Sequence, residues 1–406
     1  MGPQSTDDLA TPFRFEYDPA TVRYGPDCVA DLSAELAALD CDRALVVTGA
    51  TVGETPAVMD PIRAGLGERL AGVFAGTTPG KRLGTAYDAL EQYRETAADA
   101  IVAVGGGSSL DVATVLSILA ATDRSPEAVG AELVESGTLP VPASGLPPVL
   151  TVPTTLAGAD LSQVAGVTAD PATCPVSEPA SGGVSGPQLM PAVAWYDPEL
   201  LATTPRGVLA ASAMNGFDKG IETLYARNRT PVTDATAMRG LGLLADGLLA
   251  FGDGDGSPAT YQRLARGVML VQYGISRPEG TTLSLIHAFG HGLTRTYDVQ
   301  QGAAHAVVAP HVLRWLFEAC DGRRALLAEA LSVEERDDPA EAVVERVADI
   351  AAALDLPTRL RDVDGPERDE FPDVAEAVLA DAFMNNAPTG LDPTREDIER
   401  VLDAAW

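Results

Sequence analysis

Residues 99–121, DAIVAVGGGSSLDVATVLSILAA, pass from an unbroken apolar run through three glycines into a segment of helical length. The run IVAV is short, rich in valine and isoleucine and uninterrupted, the mark of a strand buried on both faces. Glycine at 105–107 lets the backbone turn sharply and approach a ligand. The helix that follows offers unpaired amides and the positive end of its dipole, a seat for a pyrophosphate. Ser108 or Ser109 is placed to cap it. The spacing is not GxGxxG, so the usual dinucleotide fingerprint is not what this turn displays.

Working outward, DRALVVTG (42–49) and LAGVFAG (70–76) read as further strands, with a helical stretch around 56–70 between them. LGTAYDALEQYRETAA (83–98) reads as a helix, and VLTVP (149–153) as another strand. Strands alternating with helices predict right-handed crossovers and a doubly wound, mostly parallel α/β sheet. Thr154 and Thr155 then fall at its carboxyl edge, where open α/β sheets bind ligands. Upstream, FRFEYDPATVRY (13–24) alternates like a strand or hairpin, and GPDCVADLSAELAALD (25–40) reads as an amphipathic helix. Residues 171–190, rich in Pro, Gly and Ser, are expected to be a loop or hairpin; VAWYDPELLATTP (193–205) closes the domain and supplies the linker.

From about residue 206 the pattern is helical, in segments 208–226, 233–251, 258–274, 281–295, 303–320, 324–331 and 339–354. The expected organisation is an α/β nucleotide-binding domain over 1–203 and an all-α domain over 204–406.

The composition is strongly acidic: 58 Asp and Glu against 28 Lys and Arg, a net charge of −30. Only two of the cations are lysines, Lys81 and Lys219. Acidic residues spread along the whole chain, as in ERDDPAEAVVER (335–346), suit a halophilic protein whose self-repulsion is screened by salt. They argue against nucleic acid or an anionic membrane as a partner. Cys28, Cys41, Cys174 and Cys320 lie far apart with no CxxC pair, as expected of reduced thiols. MGPQSTDDLATPF shows no apolar leader segment, so a cytoplasmic location is expected.

All four histidines, His287, His291, His305 and His311, fall within 25 residues, in HAFGHGLTRTYDVQQGAAHAVVAPH (287–311). Imidazole titrates near neutrality and ligates metals, so the clustering points to chemistry. His287 and His291, four apart, share one helix face.

GGGSSLD (105–111), TVPTTLAGAD (151–160), AMNGFDKGIETLYA (213–226) and the histidine stretch, in that order, resemble the iron-containing alcohol dehydrogenase family. The resemblance implies the dehydroquinate synthase-like fold: a dinucleotide domain, a helical domain and a cleft between them, with hydride passing between a nicotinamide and an alcohol or carbonyl. It implies cofactor binding at Gly49, Gly105, Gly106, Gly107, Ser108, Ser109, Asp111, Thr154 and Thr155. The family's four metal-ligand positions fall here on Asn215, Lys219, His287 and Gln301, of which only His287 is a good ligand. The expectation is therefore a degenerate site without bound metal (iron or zinc were one present), similar to the maleylacetate reductase branch. Lys219 then becomes the electrostatic donor, with His287 or His291 relaying the proton and Asn215 and Gln301 binding substrate; a surface lysine paired with Asp218 or Glu222 is the plainer reading. His305 and His311 are expected to orient or cap their helix. Gly49 stands where relatives often carry an Asp that repels a 2′-phosphate, and Thr114 where they carry a lysine, so either NAD or NADP remains open. A metal-dependent enzyme using His287, His291, His305 and Asp218, or a non-redox lyase or binding protein on the same scaffold, are the alternatives. The expected partners are a small alcohol or carbonyl substrate and a second copy of the chain in a homodimer.

Overall fold

The computed structural model describes residues 12–333 and 339–406; most of MGPQSTDDLATPF and the start of the acidic run at 335 lie outside the described residues. It forms two compact units, Asp18–Thr204, and Pro205–Trp406 together with the stretch ending at Tyr17.

The first unit contains β1 (Thr21–Tyr24), β2 (Ala44–Gly49), β3 (Leu70–Thr77), β4 (Ala100–Gly105), β5 (Val149–Pro153), β6 (Val164–Ala169), β7 (Ala180–Ser185) and β8 (Val193–Tyr196). Six of these make one sheet in the order β1-β8-β5-β4-β2-β3, every pairing parallel. The period-2 alternation of strand side chains splits its residues between two cores. Leu45, Val47, Ile101 and Ala103 pack on one face, and Ala44, Val46, Val102 and Val104 on the other. Each valine or leucine so buried contributes about 1.5–3 kcal/mol. Helices α1 (Leu32–Ala38) and α2 (Pro56–Leu66) cover the second face through Leu36, Met59 and Ile62. Helices α3 (Leu83–Glu95), α4 (Gly107–Ala120) and α5 (Pro126–Ser136) cover the first through Leu90, Leu116 and Leu133. The chain leaves β2 outward to β3 and returns on the other side of β2 as β4. That reversal opens a crevice at the carboxyl ends of β2 and β4, where Gly49 and Gly105 stand.

Some expectations shift. Of residues 13–24 only Thr21–Tyr24 form a strand. The earlier aromatics pack on the helical unit instead, Tyr17 edge-on to Tyr273 and Phe15 beneath the Arg277 guanidinium. Their alternation reflects partial burial against the segment from Tyr273 to Arg277 and not a ladder. Segment 25–40 opens with a 3-10 turn, Cys28–Asp31, before α1. VAWY, expected near the linker, is an inner strand between β1 and β5. The 171–190 segment yields β7, paired antiparallel to β6. Helix α5, capped by Ser125 with proline at its first position, is an addition to the sequence reading.

The second unit begins with α6 (Arg206–Tyr225), α7 (Pro231–Gly252), α8 (Pro258–Gln272), α9 (Leu285–Thr294) and α10 (Gln301–Ala319). A short antiparallel pair, Ser276–Arg277 with Gly280–Thr281, interrupts the helices. Helices α6 and α10 meet backbone to backbone: a Cβ on Gly302 would lie 1.7 Å from the Ala211 carbonyl oxygen. Among the described residues no helix is long and apolar enough to cross a membrane.

Candidate active site

On α6, Asn215, Asp218, Lys219 and Glu222 fall at i, i+3, i+4 and i+7, a single helix face. That face is buried where apolar side chains would be expected: Asp218 and Glu222 are fully enclosed and Lys219 is 8% exposed. The surface-lysine reading of Lys219 does not survive its burial. Charged side chains are rarely placed so deep unless something there uses them.

Glu222 organises the pocket. Its carboxyl accepts the His287 backbone amide at 2.9 Å, with the Ser284 and Ile286 amides also directed at it. Ser284, the N-cap of α9, makes no side-chain cap of its own, so a carboxyl from α6 caps α9 in its place. The same carboxyl lies 2.6 Å from His287 Nδ1. On the far side of the ring, Nε2 is 2.9 Å from Asn215 Oδ1. An amide oxygen only accepts, so Nε2 carries hydrogen; in a ring that burial keeps neutral, Nδ1 is then the acceptor and the shared proton belongs to Glu222. The electrostatics agree. Burial lifts Glu222 to about 8 against the pull of those amides, and burial, then the Lys219 charge, hold His287 well below its usual range.

Beside this pair, the His305 ring packs edge-on against His287, centroids 4.5 Å apart, with its Nδ1 3.4 Å from Asp218 Oδ2. Both residues are fully enclosed; burial raises Asp218 well above, and lowers His305 well below, their ordinary values. Gly290 admits the ring, since a Cβ there would come within 2.3 Å of His305 Nε2. His291, one turn along α9, is nearer solvent with 24% of its side chain exposed, and Nδ1 lies 2.9 Å from Asp381. Burial would raise Asp381, but hydrogen bonds from His291 and the Phe383 amide win and hold it low. The Phe383 ring stands 5.0 Å from His291 and 6.3 Å from His287. Gln301 opens α10 as its first residue. His311 lies further along that helix, depressed by burial and then by Arg314. Asn215, Lys219, His287 and His305 were visible in the sequence; Glu222, Asp381 and Phe383 were not singled out. One signal was available for Glu222: it shares a helix face with Asn215 and Lys219.

The first unit gathers the other expected residues around the crevice. Gly105 has a φ of +138°, where glycine is at ease, and a Cβ on Gly106 would stand 3.3 Å from Thr155 Cγ2. The N-cap of α4 is Gly106, with no side-chain cap; neither Ser108 nor Ser109 fills that role, and Ser109 Oγ bonds Thr77 Oγ1 at 2.6 Å instead. The Thr154 amide donates to the Gly105 carbonyl at 3.0 Å. Gly49 ends β2 against Thr77, whose carbonyl oxygen would be 3.3 Å from a Cβ. Thr48 Oγ1 is buried with no hydrogen-bond partner among the described residues. Asp111 is paired with Lys81, Nζ to Oδ2 2.5 Å.

Comparison with known proteins covers nearly the whole chain. A family model described as iron-containing alcohol dehydrogenase matches residues 19–198, and the C-terminal model of the Fe-containing alcohol dehydrogenase family matches 209–406. The chain is 26% identical to lactaldehyde reductase of Escherichia coli strain K12 over 394 residues, 95% of this chain and 98% of the relative. It is 29% identical to maleylacetate reductase of Pseudomonas aeruginosa over 384 residues, 92% and 93% of the two. In fold it is similar to sulfoacetaldehyde reductase of Bifidobacterium kashiwanohense, solved with NAD+, at a TM-score of 0.84 and 19% identity, covering 97% of this chain and 99% of the other.

Proposed function

The chain belongs to the iron-containing alcohol dehydrogenase family, and on that premise we propose that it is a nicotinamide-dependent reductase, interconverting a carbonyl and an alcohol without a divalent metal. One observation carries the reading: a buried lysine, Lys219, occupies the polar face of α6 beside His287.

The donors at the family's ligand positions do not fit a divalent ion. An ammonium repels it, Asn and Gln are weak neutral donors, and both His287 nitrogens are engaged by Glu222 and Asn215. The alternative set of His287, His291, His305 and Asp218 does not converge on a common point either. Among the described residues no group of three or more His, Cys, Asp or Glu is arranged to hold a metal. The crevice of the first unit does suit a dinucleotide: the first turn of α4 has no side-chain cap, and three glycines keep its approach clear. A bound nicotinamide supplies or accepts the hydride.

Lys219 takes the role that a Lewis acid would otherwise fill. A fixed positive charge in a water-poor pocket stabilises the oxyanion that develops as a carbonyl is reduced. The Nε2 hydrogen of His287, turned from Asn215 Oδ1 to the substrate oxygen, completes the alcohol while Nδ1 takes the proton from Glu222. The ring stays neutral, and the negative charge passes to the Glu222 carboxylate until it is reprotonated. His291, the more exposed of the two rings on α9, returns the proton from water.

Replacing Lys219 with methionine should cut turnover about 100-fold or more while leaving nicotinamide affinity unchanged. Elemental analysis of the active enzyme should find neither iron nor zinc at stoichiometric level, and chelator should leave the rate unaltered. Full metal occupancy with chelator-sensitive turnover would overturn the reading.

A further inference from the structure

Lys81 is one of only two lysines in the chain and lies far in sequence from the pocket around Lys219. It follows β3 on the loop leading to α3, at the carboxyl end of the sheet, with φ at +49°. That left-handed conformation costs a residue with a Cβ of order 1 kcal/mol, and it is held here by the surrounding strands. The Lys81 amide donates to Thr78 and its carbonyl accepts from Thr168, joining the loop to β6. Its ammonium reaches Asp111 on α4, one helical turn from Gly107 and on the same face. Gly166 on β6 lies against the pair: a Cβ there would stand 3.4 Å from the lysine Nζ and 3.5 Å from Asp111 Oδ2, in ordinary contact with both.

An acidic side chain near the start of α4 would repel an anion seated on the helix amides. Lys81 cancels that charge, and with 37% of its side chain exposed it is free to turn toward the ligand. A second observation marks the same turn as a ligand site: the buried Thr48 hydroxyl, lacking a partner among the described residues, lies 3.8 Å from where a Gly105 Cβ would be. We propose that Lys81 is a cofactor-binding residue, the cation that meets the phosphates of the dinucleotide at the start of α4, with Asp111 as its anchor. The assignment rests on the nicotinamide-dependent reading above.

The composition provides a direct test. Treat the intact protein with an amine-acylating reagent and follow Lys81 and Lys219 by peptide mass, with no addition, with NADH, with NADPH and with adenosine. The dinucleotide that binds should protect Lys81 strongly and adenosine should not. In parallel, Lys81→Met should weaken dinucleotide binding about 10- to 100-fold, the size of a charge-assisted phosphate contact, with Lys81→Arg recovering most of it. Adenosine affinity and the unfolding midpoint should stay level. Unchanged labelling at saturating dinucleotide, or wild-type affinity in Lys81→Met, would reduce Lys81 to a staple between loop and helix and leave the reductase reading intact. Failure of the wild type to bind either dinucleotide would overturn both.

Discussion

A single carboxyl, Glu222, ties the site together: it caps α9, holds the His287 ring and carries the proton between them. Its pKa near 8 has a consequence for stability. An unfolded glutamate titrates near 4.3, so the folded state favours the protonated form. As pH rises through the unfolded value the denatured chain gains by ionising while the native carboxyl stays neutral. Stability contributed by the neutral group is therefore full below about pH 4.5, falls as pH climbs toward 8, and levels off above it. Glu222→Gln keeps the hydrogen bonds but has no proton to lose. Chemical unfolding from pH 5 to 8 should show a shallower loss of stability in Glu222→Gln than in the wild type; parallel slopes would place the proton elsewhere. The sequence offered only its shared helix face with Asn215 and Lys219, which reads equally well as a surface partner for the lysine; burial is what sets this glutamate apart from the other acidic residues.

At the scale of elements, most helices of the second unit were legible, though Phe371–Leu379 and Arg395–Ala405 were not read as helices and 281–284 precede the helix that begins at Leu285. Prolines at the first position of α7 and α8, with Thr230 and Ser257 as caps, state where each begins. Which helices touch was not legible. Gly302 reads as an ordinary glycine just before a helix, yet it is the point where α10 lies against the α6 backbone and brings His305 beside His287. Gly302→Ala would place a methyl 1.7 Å from a carbonyl oxygen that cannot rotate away, so the helices must part. Overpacking of this kind costs about 1–3 kcal/mol, and separation of α6 from α10 should cost activity as well. Thermal unfolding together with turnover would show it; a variant equal to the wild type in both would mean that the two helices are not in contact.

Over the whole chain, a net charge of −30 with only two lysines predicts a dependence on salt. Screening shortens the reach of charge repulsion from about 10 Å at 0.1 M salt to about 3 Å at 1 M. The unfolding midpoint should rise steadily across that range in sodium chloride, and rise equally in potassium chloride if screening alone is at work. A midpoint independent of salt would show that the acidic residues are already neutralised by local pairing. Charge is a property of composition, so this behaviour could be anticipated before any coordinates.

What the amino-acid order determined alone was whatever depends on near neighbours: the strand–helix succession of a parallel sheet, the glycine turn after IVAV and the helix starts. What only the folded chain decided was which distant side chains share a proton or a charge. Glu222 and His287 are 65 residues apart and Lys81 and Asp111 are 30 apart, on different elements. Their pairing is set by helix and strand packing, and burial, which fixes where each proton resides, exists only once that packing is complete.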